Sequence, residues 1–120
     1  PMQRQLRLTS SRLFSKVQKE GRGLSNELLV LKACPNGLDW SRSGFSVAKK
    51  VGSAVVRNKV KRRLRAIIQH SQVTPGWDLV FIVRPKAAGA DYWELRQAVE
   101  DLLSRARLAR PEVGQGGVRR

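Results

Sequence analysis

At 120 residues, 41% of them apolar, the chain suits one compact domain and is too hydrophobic for wholesale disorder. Its 24 Lys and Arg against 9 Asp and Glu give a formal charge of +15, a self-repulsion that a polyanionic partner would offset. The longest apolar runs, such as Leu79-Val80-Phe81-Ile82-Val83, fall far short of the ~20 residues that span a bilayer.

In chain order, the polar stretch at residues 1–7 lacks a secretory apolar core, and the lone Cys34 permits neither an intrachain disulfide nor a cysteine metal cluster. Both predict a soluble protein of the cytoplasm. Residues 9–19 read as a helix, with Leu13, Phe14 and Val17 at helical spacing and Thr9, Ser10 or Ser11 available to cap it; Gly21 and Gly23 end it. Residues 27–33, rich in Leu and Val, read as a strand. Pro35-Asn36-Gly37 supplies a turn before a second strand through residues 44–48.

From Ala54 to Gln69 the apolar period changes to that of a helix. Pro75-Gly76 interrupts the pattern, and residues 78–84 form a near-continuous apolar run, as in a central strand buried on both faces and stopped by Pro85. The last helix starts at Asp91, with Glu94 completing a capping box and Tyr92, Leu95, Val99, Leu102, Leu103 and Ala106 as its core stripe. Residues 1–110 therefore read as a single domain and 111–120, with its glycines, as a disordered tail.

The helix at 54–69 carries the strongest functional signal. At about 100° per residue, Val56, Val60, Leu64, Ile67 and Ile68 share an arc of ~120°, while Asn58, Arg62 and Arg65 fall within ~60° of one another on the other side. Lys61 lies beside that row, and Arg57, Lys59 and Arg63 flank it. A merely solvated helix usually mixes signs for mutual support. Here, between Asp39 and Asp78, there is no acidic residue and there are nine basic ones: Arg42, Lys49, Lys50, Arg57, Lys59, Lys61, Arg62, Arg63 and Arg65. Arginine forks grip phosphate oxygens directionally, and Asn58 has the donors and acceptor to read a ribose. The pattern predicts nucleic-acid binding. It leaves open a structural RNA-binding protein and a reader of the DNA major groove. A free-standing nuclease is disfavoured, because the basic segment contains no carboxylate pair and His70 is the only histidine.

The run from Phe45 to Arg65 resembles the signature of the bacterial ribonuclease P protein family. The matching residues are Ser46-Val47, Lys49-Lys50, Gly52, Ala54-Val55, Arg57-Asn58, Lys61-Arg62 and the further Arg65. The wider likeness runs over about residues 6–108. It implies an α+β fold, a small ribosomal-protein-like four-stranded sheet packed with three helices, with a left-handed strand–helix–strand crossover around the signature helix. It also implies a noncatalytic partner of a catalytic RNA that removes the 5′ leader from precursor tRNA, one protein per RNA, with magnesium bound mainly by the RNA. Arg57, Asn58, Lys61, Arg62 and Arg65 would then face the catalytic RNA. A cleft containing Phe14, Val30, Lys32, Lys49 and Lys50 would hold the single-stranded leader. Two cleft positions depart from the family: Gln18 and Lys32 stand where many relatives carry aromatics, which would weaken base stacking there.

Overall fold

The computed structural model describes residues 7, 8 and 10–109; the expected cap at Thr9 and the tail at 111–120 lie outside them. Helix α1 spans Ser11–Glu20, and Ser10 caps it by accepting from the Leu13 amide at 3.3 Å. Where Gly21 and Gly23 read only as a helix stop, a strand follows at once: β1, Arg22–Ser25. It carries one apolar side chain, Leu24, so no alternation betrays it in the sequence. Strand β2 is Leu29–Pro35, two residues later than expected. The delay is the work of Asn26. Its carbonyl accepts from the amides of Leu28 and Leu29, holding residues 26–28 in a turn, while its amide group donates to the Ala98 carbonyl.

Strand β3 is Arg42–Ser46, shifted two residues toward the N-terminus of the expected strand because Ala48 already caps a short 3₁₀ turn, Lys49–Val51. Helix α2 occupies Ala54–Gln69, as the periodicity predicts, and Ser53 caps it through the Val56 amide. Strand β4 is Trp77–Val83; Pro85 then opens a second 3₁₀ turn, Pro85–Gly89. Helix α3 is Tyr92–Arg105, with the expected capping box between Asp91 and Glu94 closed at 2.9 Å in both directions.

The sheet runs β1-β2-β4-β3, antiparallel except for the β3–β4 pair, which α2 connects as a crossover. Register and alternation give the two faces different jobs. Leu29, Leu31 and Ala33 of β2, with Leu79, Phe81 and Val83 of β4, pack against α2 and α3 in the main core. The opposite face presents Val30, Lys32, Cys34, Val80, Ile82, Gly44 and Ser46, part of it covered by α1 through Val17, Leu13 and Phe14. Strand β4 is thus central and buried on both sides, as its apolar run implies.

Candidate RNA-binding surfaces

Helix α2 is fastened by Val60, Leu64, Ile67 and Ile68, all buried, with Val56 half-buried beside them. Its other residues present a single sign of charge. Asn58, Lys59 and Arg62 are exposed; Arg57, Lys61, Arg63 and Arg65 are half-buried. Among the described residues, the side chains of Asn58, Lys61, Arg62 and Arg65 have no hydrogen-bond or ion-pair partner, so their donors are free to meet a polyanion. The acidic residues of α3 behave differently. Glu100 pairs with Arg96 and Asp101 with Arg105, each four residues apart, while Glu94 is held by its capping box. Hydrogen bonds from Asn26 and then Arg105 hold the Asp101 carboxyl below the usual carboxylate range. Local pairing explains the charges of α3. It does not explain those of α2.

Two of the basic residues flanking the row are already engaged. Arg57 donates through Nε to the Gly52 carbonyl at 3.1 Å, which ties the start of α2 to the turn carrying the exposed Lys49 and Lys50. Arg63 donates to the Ala90 carbonyl at 2.9 Å, bracing α2 against the approach to α3. Arg42 is engaged too. One of the nine basic residues of the acid-free span, it forms a two-pronged ion pair with Asp78, at 2.8 and 2.7 Å, which neutralises its charge locally.

Three of the five expected leader residues gather on the α1 side of the sheet; Lys49 and Lys50 stand apart, on the 3₁₀ turn whose Val51 packs into the main core. Phe14 is half-buried on α1; Val30 and Lys32 are half-buried on neighbouring outward positions of β2. Lys32 lies across Gly23 of the edge strand, where a β-carbon would come within 3.2 Å of its Nζ. Gln18 is half-buried one turn beyond Phe14.

Phe14 also reaches the basic helix. A cavity of about 200 Å³ is lined by Phe14, Lys61 and Arg65 together with Arg7, Gly44 and Phe45. Phe14, expected at the leader, and Lys61 and Arg65, expected at the catalytic RNA, thus line one cavity although they are far apart in sequence. Arg62 and Asn58 are not among its lining residues. Arg7 and Gly44 escape sequence reasoning, because only tertiary pairing brings them here. Arg7 arrives through a parallel bridge to Ser43, and Gly44 through the register of β3 on β4.

No three His, Cys, Asp or Glu side chains among the described residues are grouped to hold a metal ion. No helix among them is long and apolar enough to cross a membrane.

Comparison with known proteins follows the same line. A family model described as Ribonuclease P matches residues 2–107. The ribonuclease P protein component of Dehalococcoides mccartyi is 44% identical over 102 residues, covering 85% of each chain. That of Roseiflexus castenholzii is 39% identical over 117 residues, covering 95% of this chain and 96% of the relative. Among solved structures, the RNase P protein from Thermotoga maritima superposes with a TM-score of 0.76 at 38% identity, over 82% of this chain and 96% of that one. The Staphylococcus aureus RNase P protein gives 0.79 at 30% identity, over 88% and 98%.

Proposed function

The chain belongs to the bacterial ribonuclease P protein family, the protein subunit of a ribonucleoprotein endoribonuclease that matures the 5′ end of tRNA, and from that premise we propose how its surfaces divide the work. Helix α2 docks on the catalytic RNA, with Asn58, Arg62 and Arg65 as its central row and Arg57 and Lys61 at its edge. The α1 side of the sheet holds the 5′ leader of precursor tRNA. Phe14 offers a ring for a base to stack on, Val30 an apolar floor, and Lys32, Lys49 and Lys50 positive charge along the backbone of the leader. The observation that carries this reading is the unpartnered basic row of α2, opening at one edge onto a cavity that Phe14 also lines.

The chemistry belongs to the RNA. Magnesium is held mainly by oxygens of the RNA, the hard ligands that this ion prefers. The protein contributes charge and position. Each phosphate that an arginine neutralises no longer needs a condensed cation, so the assembled enzyme works at lower magnesium than the RNA by itself. One protein binds one RNA, in the cytoplasm, where precursor tRNA is made.

Replacing Phe14 with Ala tests the leader assignment. Base–aromatic stacking is worth ~1–3 kcal/mol, so the KM of reconstituted enzyme for a leader-bearing substrate should rise on the order of tenfold. A substrate cut back to a minimal leader should be much less affected. Equal losses for the two substrates would reduce Phe14 to a packing residue of the small cluster under α1.

A further inference from the structure

Gly44 lies in the interior of β3, paired with Val80 of the central strand, and it is buried. Glycine is a poor choice there. It adds no packing, costs entropy on folding, and inside a strand commonly marks a place where another group comes unusually close. Its backbone does not call for glycine, because its φ lies outside the left-handed region. Space does. A β-carbon at residue 44 would stand 2.5 Å from Cε2 and 3.2 Å from Cδ2 of Phe14, and 3.3 Å from Cβ of Leu8. The ring of Phe14 rests where the side chain of residue 44 would otherwise be.

We infer that Gly44 is a positioning residue for leader recognition: its missing side chain is the seat that lets Phe14 sit low on the sheet, beside Lys61 and Arg65. The inference rests on the leader role of Phe14 and deepens it. The cavity is lined by Phe14 of α1, Gly44 of β3, and Lys61 and Arg65 of α2. A ring at this depth allows a nucleotide whose base stacks on Phe14 to direct its phosphate toward the two cations. A ring lifted by a methyl group would still be present and aromatic, but would fill the space that the nucleotide enters. The one contact under 3.0 Å is with the far end of a side chain with two rotatable bonds, while Leu8 Cβ at 3.3 Å has to give by only a few tenths of an ångström. A β-carbon at residue 44 therefore displaces the ring rather than the backbone, and the fold persists.

The test is a double-mutant cycle of Gly44→Ala and Phe14→Ala in holoenzyme reconstituted with the catalytic RNA. The KM is compared for precursor tRNA with a leader of about five nucleotides, within the span one single-strand-binding module covers, and with a minimal leader. Gly44→Ala should raise the ratio of long-leader to minimal-leader KM by about three- to tenfold. In the Phe14→Ala background it should change that ratio less than about twofold, because there is no ring left to move. A thermal midpoint close to that of the parent protein separates this from loss of fold. If Phe14→Ala shifts the ratio and Gly44→Ala does not, Gly44 has no positioning role although the leader cleft stands. Full additivity of the two changes would also overturn the inference. If Phe14→Ala itself leaves the ratio unmoved, the leader assignment fails and takes the inference with it.

Discussion

Arg62→Ala combined with Arg65→Ala should weaken binding of the catalytic RNA on the order of a hundredfold, with no loss of folding stability. Hydrogen bonds to charged groups contribute ~1.5–3 kcal/mol each, and two such losses at the lower end of that range, as suits exposed groups, come to about 3 kcal/mol. Neither side chain has a hydrogen-bond or ion-pair partner among the described residues. Removing them leaves nothing unsatisfied and relieves repulsion along α2. If about five side chains of the row each neutralise one phosphate, the log–log salt slope should be roughly −3 to −4.5, and the double variant should flatten it by about 1.5–2 units. Arg63→Ala makes a useful contrast. Its guanidinium is spent on the Ala90 carbonyl, so its removal should cost stability more than slope. RNA affinities measured across a salt series check both. An affinity loss in the double variant with an unchanged slope would mean that these arginines do not meet phosphate.

Asp78→Ala should destabilise the fold by about 3 kcal/mol or more, one of the largest effects open to a single substitution outside the apolar core. The Asp78 side chain is 5% exposed, and its carboxylate accepts from Nε and Nη2 of Arg42 and from the Asn36 amide at 2.9 Å. Those partners lie on β3 and in the turn after β2, so one carboxylate joins three segments at one end of the sheet. Truncation strands a guanidinium that is itself only 22% exposed. For a domain of this size, each kcal/mol lost lowers the thermal midpoint by several degrees, so a fall of roughly 10–20 °C is expected. Chemical denaturation measures the free energy directly. A loss below about 1 kcal/mol would show that solvent screens the pair as it does a surface ion pair.

How much of the molecule is legible in the sequence depends on whether a feature is local. Helix α2 is legible because its apolar period and its basic row are both written within one segment. The capping box of α3 and the doubly buried β4 are legible for the same reason. Strand β1 is not: it is a short edge strand with one apolar residue, defined by pairing with β2 rather than by its own pattern. The start of β2 is misplaced because the Asn26 turn is completed by α3, more than seventy residues away in sequence. At the candidate site, the charge run identifies the basic helix but cannot say which charges are already spent. Arg42 goes to Asp78 and Arg63 to Ala90, and Arg57 leans on Gly52, contacts that only the folded chain assembles. Nor does the sequence reveal that Phe14 and Arg65 line one cavity, since they belong to helices packed near opposite faces of the sheet.

The central claim is that this chain adds an RNA-docking helix and a leader cleft to an enzyme whose chemistry is carried by RNA. Reconstitution tests it most directly: cleavage of leader-bearing precursor tRNA is followed at low magnesium with the protein alone, the catalytic RNA alone, and the two together. The account predicts no cleavage by the protein, little by the RNA, and efficient release of the 5′ leader by the mixture. Cleavage by the purified protein alone, or no stimulation of the RNA, would contradict it.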